Sequence, residues 1–211
     1  MGLIRQLRKG VLKHYDYDRN AEALIYKSIR LFQKGGWFHR LRAIRLYNII
    51  REKYACDIWP GIKIGTGTYI AHAQNISIGP TAEIGNNCRI YPSCSFASAI
   101  VGDEKKKGHR RHAKVGDNCI IGEGSILLGD IEVGHNVVIG AGAVVRKNIP
   151  SYAIVFGNPA KIVGFTMRPD EALENELSYP EEQRLSMEIM EQNYDKYFRS
   201  RMKDIRLFNS I

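Results

Sequence analysis

A six-residue spacing of aliphatic residues through the middle of the chain limits the possible folds more than any other feature of the sequence. Six consecutive positions at this spacing are aliphatic, and a glycine follows four of them. The six residues are Val115, Ile121, Leu127, Val133, Ile139 and Val145. An alternating strand has a period of two residues and an amphipathic helix has a period of 3.6, so neither structure explains the pattern.

The same period occurs earlier in the chain, in two blocks that are out of phase by two residues. One block is Ile58, Ile64, Ile70 and Ile76, and the other is Ile78, Ile84, Ile90 and Phe96. A six-residue period predicts a triangular parallel β-helix, in which each hexapeptide forms a short strand and a corner and three hexapeptides complete a coil. The aliphatic residue points into the prism, and the glycine after it gives the corner its backbone freedom.

A second row, four residues after each aliphatic position, is predicted to face the narrow interior and therefore to be small. The row reads Ala82, Cys88, Cys94, Cys119, Ser125, Ile131, Val137 and Ala143. Three of the four cysteines fall on it, where a thiol behaves as a compact apolar group. No CxxC pair occurs in the chain, so a structural role for these three is favoured over metal ligation, a disulfide or a nucleophile. The role of Cys56 stays open.

The repeat is interrupted once, between Phe96 and Val115. The intervening segment is polar and has lost the period, so we expect residues 97–112 to leave the prism as a loop. A solenoid accommodates insertions at its corners, and such loops often carry functional residues.

Helical patterns flank the repeat on both sides. They cover residues 3–13, 20–33 and 37–54, the last with Leu41, Ile44, Leu46 and Ile49 as the predicted buried face, and residues 178–207 near the C-terminus. An exposed final coil is an unpaired edge, so helices at both ends would cover it. The predicted organisation is a helical N-terminal segment (1–55), a β-helix domain (56–165) and a C-terminal helical extension (166–211).

The net charge is confined to one end of the chain. Of 31 basic and 22 acidic residues, 13 basic and 4 acidic residues lie in 1–55, so this segment carries the whole net charge of +9. No nucleic-acid-binding motif accompanies it. The segment is either a solvated helical cap or a basic face that contacts an anionic membrane or an acidic glycan. The chain lacks an apolar run long enough to span a bilayer and a signal-peptide pattern, so we expect a cytoplasmic protein, with peripheral contact at the inner membrane face as an option.

Several motifs in and around the repeat resemble the hexapeptide-repeat acyltransferases, and within that group serine acetyltransferase and its relatives in bacterial polysaccharide gene sets. The motifs are Asp57-Ile58-Trp59-Pro60, Ala71-His72-Ala73, Arg111-His112-Ala113-Lys114-Val115 and the closing Gly157-Asn158-Pro159-Ala160-Lys161. The resemblance covers about residues 56–165 and implies a mainly β fold, a left-handed parallel β-helix with helical segments at both ends. Spacing alone does not give that handedness.

The resemblance also implies an active site. His72 falls on the family's catalytic base, Asp57 on its carboxylate partner, and His112 on a second histidine carried by the loop. Arg111 matches a family arginine that contacts the acceptor's carboxylate, with a plain loop charge as the alternative. His109 and His135 are interpreted as surface residues. The chemistry is consistent, because acetyl transfer to a hydroxyl needs a base, and a carboxylate fixes the tautomer of the imidazole that serves as one.

The implied donor is acetyl-CoA, bound in the groove between two prisms of a homotrimer. Its pantetheine arm would lie against Gly122, Gly140 and Ala141, and Lys161 would reach a phosphate, with Arg146 or Lys147 as alternatives. His112 is expected to face a neighbour's His72. No nucleic acid and no resident metal are expected, although a zinc site formed by His72, His109 and His112 is an alternative.

The acceptor is inferred from two departures from serine acetyltransferase. That family has a serine-binding aspartate before the catalytic histidine, where this chain has Ala71, and its N-terminal helical domain is longer. Both differences favour a saccharide hydroxyl in capsule, O-antigen or exopolysaccharide synthesis. Serine in cysteine biosynthesis is the alternative, and a non-catalytic or zinc-binding β-helix is an alternative of another class.

Overall fold

A computed structural model describes residues 19–99 and 110–166 of the chain. The predicted helices at 3–13 and 178–207, almost all of the C-terminal extension, and His109 lie outside these residues. No helix in the described part is long and apolar enough to cross a membrane.

Within the described residues, fifteen short strands form three sheets, which are the three faces of a prism. Sheet 1 contains β1 (Asp57–Ile58), β4 (Ser77–Ile78), β7 (Ser95–Ala97), β10 (Ile126–Leu128) and β13 (Val144–Val145). Sheet 2 contains β2 (Lys63–Ile64), β5 (Glu83–Ile84), β8 (Lys114–Val115) and β11 (Glu132–Val133). Sheet 3 contains β3 (Tyr69–Ile70), β6 (Arg89–Ile90), β9 (Ile120–Ile121), β12 (Val138–Ile139), β14 (Ala153–Phe156) and β15 (Lys161–Phe165).

The chain visits the three sheets in turn, so each strand from β1 to β10 pairs with the strand three places further on, and β12 pairs with β14. Ile58 aligns with Ile78 and Ile78 with Phe96 in sheet 1, and the pairing is parallel except between β14 and β15. The repeated aliphatic residues point inward and are buried, apart from Ile64, which is partly exposed. Burying each such side chain contributes about 1.5–3 kcal/mol.

The second inward row is buried as predicted. The Cys88, Cys94 and Cys119 thiols each lie 3.0–3.1 Å from a carbonyl oxygen of the next coil. Cys56, which the sequence leaves open, is also buried, in the same apolar core. All four thiols are therefore packed in the core, which favours a structural role for each of them.

A ladder of side chains runs along the corner after sheet 2. At each step a backbone N–H donates to the side chain at the same corner of the following coil. The ladder runs through Thr66, Asn86, Asp117 and His135 and ends at the Ser151 hydroxyl. The prediction that His135 is a surface residue is wrong. His135 is buried in the ladder between neighbouring coils, where its Nδ1 accepts the Asp117 N–H at 2.9 Å.

In the part of the chain described from residue 19 onward, two helices precede the prism. The first (α1) is described over residues 19–33, and the second (α2) spans Trp37–Tyr54 after the turn at Gly35 and Gly36. The predicted buried face of α2 is wrong. The helix buries Ala43, Ile50 and Tyr54, whereas Leu41 is 60% exposed and Ile49 is 39% exposed.

Specific contacts with the prism and between the helices determine which face of each helix is buried, and helical periodicity alone does not predict these contacts. Tyr47 packs edge-on against Trp59 at the start of the prism, and the Ser28 hydroxyl donates to the Ala43 carbonyl at 2.9 Å. These contacts turn Leu41 and Ile49 towards solvent, beside Trp37 and Phe38, which are also exposed. Membrane contact by this basic segment stays a prediction.

Helix α1 covers the unpaired edge of the first coil. Glu22 Oε1 accepts the Ile70 N–H at 3.3 Å, and the Tyr26 hydroxyl donates to the Thr68 carbonyl. Burial raises the pKa of both side chains, Glu22 and Tyr26. These bonds use edge groups that the parallel ladder leaves without a partner strand.

Candidate active site

His72 lies at the corner where the repeat changes phase. The step from Ile70 to Ile78 is eight residues, whereas the steps within each block of the repeat are six, so the corner after β3 is enlarged. Ala71 and Ala73 on either side are buried, and the Ala71 N–H donates to the Ile90 carbonyl at 2.9 Å. His72 has a left-handed backbone (φ 45°) and an exposed side chain. The enlarged corner therefore presents this imidazole to the outside on a backbone fixed by its neighbours.

Asp57 lies in β1, aligned with Ser77 of the strand that the His72 corner enters. Its Oδ1 accepts a hydrogen bond from the Tyr47 hydroxyl and lies 3.8 Å from Arg51 Nε. Burial and the bond to Asp57 raise the pKa of Tyr47 to about 12, so the phenol stays a donor at neutral pH. The structure thus gives Asp57 two partners on α2, and its predicted pairing with His72 stays a prediction.

The end of the loop is anchored by Arg110, immediately before the two predicted site residues. Its guanidinium lies 2.5 Å from Asp130 Oδ1 and 3.0 Å from Glu132 Oε1, both on the next coil. A guanidinium held by two carboxylates has little freedom, because its planar fork matches their geometry. The position of Arg111 and His112 is therefore set by the prism.

Thr81 makes the second attachment of the loop. Its Oγ1 accepts the Arg111 N–H at 2.8 Å and lies 2.7 Å from His112 Nδ1. Thr81 is held in a turn with Pro80 at its second position, closed by the Ala82 N–H donating to the Gly79 carbonyl at 3.1 Å. One hydroxyl on a rigid turn therefore contacts both residues.

His112 packs directly on Gly79 and is 6% exposed. A Cβ atom at Gly79 would lie 2.0 Å from His112 Nε2, so only glycine leaves room for the ring. Burial lowers the pKa of His112, and the nearby Arg111 guanidinium lowers it further. The imidazole is therefore neutral at pH 7.

His72 and His112 lie at opposite corners of the same face of one prism. The chain passes from the His72 corner through β4 to Gly79, on which His112 lies. The structure therefore separates the two predicted catalytic histidines within one chain, and it brings Arg111 and His112 together at one corner.

The residues predicted to bind the donor lie on the corner that carries His72. Ala71, Gly122 and Gly140 each follow a strand of sheet 3, whose strands are spaced about 4.8 Å apart, and Tyr91 occupies the same corner between Ala71 and Gly122. A Cβ at Gly122 would lie 2.6 Å from the Ala141 nitrogen, so the corner is narrow, and Ala141 itself is exposed. The candidate donor site is therefore a continuous track that leads away from His72.

The far end of this track carries an aromatic ring and a cation. The Phe156 ring covers Gly140 and is 47% exposed, and Lys161 faces Phe156 across the β14–β15 pair. Arg146 and Lys147, the alternative phosphate ligands, follow β13 of sheet 1 and lie at a different corner. The geometry favours Lys161 over these two.

Sequence reasoning missed Thr81, Gly79, Tyr47 and Phe156. Thr81 and His112 are 31 residues apart across the interrupted repeat, so no spacing rule connects them. The signal for Gly79 was present, since the residue after each inward aliphatic position abuts the next coil. No group of three or more possible metal ligands occurs among the described residues, which do not include His109 of the zinc alternative.

Comparisons with known proteins agree with the repeat and with part of the resemblance. Residues 112–147 match the family model described as bacterial transferase hexapeptide (six repeats). Serine acetyltransferase 1, chloroplastic, of Arabidopsis thaliana is 41% identical over 130 residues, which are 62% of this chain and 40% of that protein.

Solved structures give the same result. The crystal structure of Neisseria gonorrhoeae serine acetyltransferase matches with a TM-score of 0.59 and 34% identity over 69% of this chain and 52% of that one. A serine acetyltransferase in complex with CoA matches with a TM-score of 0.57 and 33% identity over 66% of this chain and 54% of that one. The chain thus spans about half the length, or less, of the proteins that it matches.

These matches confirm the predicted fold class, a left-handed parallel β-helix of hexapeptide repeats, and they correct the predicted function. The prediction of a saccharide acceptor, and with it the polysaccharide branch, is wrong, because the relatives and structural neighbours are serine acetyltransferases. Ala71 is a single position and residues 1–55 precede the repeat, whereas the match extends through the repeat.

Proposed function

We propose that this chain is an acetyl-CoA-dependent serine O-acetyltransferase, the alternative that the sequence left open. The observation that carries the proposal is that its similarity to serine acetyltransferases in sequence and in structure extends across the prism. The corner positions support it in an assembly of chains: a transferase needs a base and anion-binding groups around a shared space, and the Arg111–His112 corner of one chain would face His72 of another.

The proposed reaction is a direct transfer with His72 as general base. The imidazole takes the proton of the serine hydroxyl while that oxygen attacks the thioester carbonyl of acetyl-CoA. The tetrahedral intermediate then collapses, the carbon–sulfur bond breaks, and the imidazolium returns its proton to the CoA thiolate. No acyl-enzyme forms. Asp57, supported by Tyr47 and Arg51, would stabilise the imidazolium.

Arg111 and His112 are proposed to hold the carboxylate of serine. A guanidinium is suited to a carboxylate because it offers parallel N–H donors, and the Arg111 backbone is fixed by Thr81. The ammonium group of serine has no counterpart at Ala71, which carries no charge. We therefore expect this enzyme to depend more on the carboxylate of its acceptor than on the amine.

The donor is proposed to lie along the sheet 3 corner, with its thioester at His72. Its pantetheine arm would follow Gly122, Gly140 and Ala141, where close stacking leaves backbone groups accessible and side chains small. The nucleotide would then reach Phe156, about four strand spacings or roughly 19 Å from the His72 coil, and Lys161 on the strand beyond it. An aromatic face and a cation suit the adenine base and a phosphate.

A homotrimer is proposed as the active species. Within one chain, one face of the prism separates His72 from His112, so a complete site requires a second chain that brings its His112 corner to His72. Closed cyclic assemblies place the same two corners together at every interface. Mixing His72→Ala with His112→Ala chains under conditions of subunit exchange should restore activity, because some interfaces then carry both histidines.

An acceptor series tests the proposed function. CoA release, followed with a thiol reagent, is measured with L-serine, with 3-hydroxypropionate, which lacks the amine, and with ethanolamine, which lacks the carboxylate. We expect turnover with L-serine, reduced turnover with 3-hydroxypropionate and none with ethanolamine. The absence of serine-dependent CoA release would overturn the proposal, and equal rates with ethanolamine would overturn the role given to Arg111 and His112.

A further inference from the structure

We propose that Thr81 is a positioning residue of the acetyl-transfer site, and that its hydroxyl holds His112 in the tautomer with the proton on Nε2. The inference rests on the proposed function, since it assigns a role within that site. Thr81 lies in the turn after β4, outside every motif that identified the candidate site residues.

The first step is the hydrogen-bond geometry at the Thr81 hydroxyl. Its oxygen lies 2.8 Å from the Arg111 backbone nitrogen and 2.7 Å from His112 Nδ1. An amide N–H only donates, so it occupies one of the two lone pairs of the hydroxyl oxygen. Among the residues that the structure describes, His112 Nδ1 is the acceptor within reach of the hydroxyl proton.

The second step is the proton count of the imidazole. A neutral ring carries one proton, on one of its two nitrogens. When Nδ1 accepts the Thr81 proton, the ring proton must lie on Nε2. Thr81 is half-buried, and this assignment satisfies its hydroxyl as donor and as acceptor within the protein.

The third step is what this tautomer does. Nε2–H is a donor, so His112 offers a hydrogen bond to an anionic oxygen of the acceptor and does not compete with His72 for the hydroxyl proton. The ring lies on Gly79 and is 94% buried, so it does not turn over without leaving its site. Thr81 therefore gives the two histidines different roles although both are imidazoles.

The test compares Thr81→Val, which keeps the shape and removes the hydroxyl, with Thr81→Ser, which keeps the hydroxyl. Thr66→Val is the matched control, because the Thr66 hydroxyl makes one surface hydrogen bond, to Asn86, on the corner after sheet 2 of the first coil. We expect Thr81→Val to lower kcat/KM for serine by about tenfold or more, chiefly through KM, whereas Thr81→Ser and Thr66→Val stay within about threefold of wild type.

A second readout does not depend on activity. Nitrogen-15 NMR of protein labelled in its histidines reports the tautomer of His112, assigned by the signal missing in His112→Asn. Wild type should show the proton on Nε2, and Thr81→Val should show a mixture. A wild-type proton on Nδ1, or unchanged serine KM in Thr81→Val, would overturn the inference. If wild type fails to acetylate serine while the NMR result holds, the proposed function falls and the positioning of His112 by Thr81 stands.

Discussion

The contact between His112 and Gly79 makes one substitution, Gly79→Ala, a strong test of the candidate site. The added Cβ would lie 2.0 Å from Nε2, 2.3 Å from Cδ2 and 2.5 Å from Cε1 of His112. Ordinary van der Waals contact begins near 3.4 Å, so the ring must move by about 1.4 Å. Such a shift would also lengthen the 2.7 Å contact between Nδ1 and Thr81.

The expected cost is larger in catalysis than in stability. A misplacement of about 1 Å at a catalytic site costs on the order of 100-fold in rate. Inserting a methyl group into a packed site destabilises a protein by about 1–3 kcal/mol. We therefore expect Gly79→Ala to fold, to unfold a few degrees below wild type, and to lose about 100-fold in kcat/KM for serine.

Gly35→Ala provides the matched control. Gly35 has a φ of 70°, so alanine there is strained by about 1–2 kcal/mol, yet its added Cβ meets nothing within 4 Å. Both variants should lose comparable stability, and only Gly79→Ala should lose activity. Equal kcat/KM in Gly79→Ala and wild type would refute the reasoning, because a displaced His112 would then have no role in the reaction.

Two further predictions follow from the donor track and from the titration of His112. Phe156→Ala should raise KM for acetyl-CoA about tenfold without changing KM for serine, whereas KM for acetyl-pantetheine, which lacks the nucleotide, should be the same in variant and wild type. Arg146→Ala, on another corner, is the control. Equal increases in KM for both donors would contradict the placement of the nucleotide at Phe156. Because burial lowers the pKa of His112 in the folded state, the unfolded chain takes up the proton first as the pH falls below about 6.5. The contribution of neutral His112 to the free energy of unfolding is then present above that pH and lost below it. Denaturant titrations should therefore show a smaller fall in the free energy of unfolding between pH 7 and pH 5 for His112→Asn than for wild type. Parallel pH dependences of the two proteins would contradict the lowered pKa of His112.

The prism could be predicted from sequence because its core residues recur at a short, fixed spacing along the chain. Each coil repeats the same inward residues, so Ile121 and Ile139 identify their strands without knowledge of any partner. The change of phase before Ile78 also marked the enlarged corner at His72. Local spacing and the fold coincide wherever the repeat is intact.

The contacts between the repeat and its surroundings could not be predicted in the same way. The buried face of α2 depends on Tyr47 packing against Trp59, and a helical pattern gives several equally apolar faces. His135 is predicted to be a surface residue, yet it continues a ladder of side chains that forms only where the coils stack. Thr81 and His112 meet because the inserted loop returns to the corner that it left.

The rate of serine acetylation, and its dependence on His72 as general base, is the measurement that bears most directly on the proposed enzyme. Initial rates of CoA release are recorded with acetyl-CoA and L-serine for wild type and His72→Ala, the product is identified by mass spectrometry, and the oligomeric state is measured by light scattering. We predict O-acetylserine in an amount equal to the CoA released by wild type, and a loss of several orders of magnitude in an unchanged oligomer of His72→Ala. No O-acetylserine from wild type, or an undiminished rate in His72→Ala, would contradict the proposal.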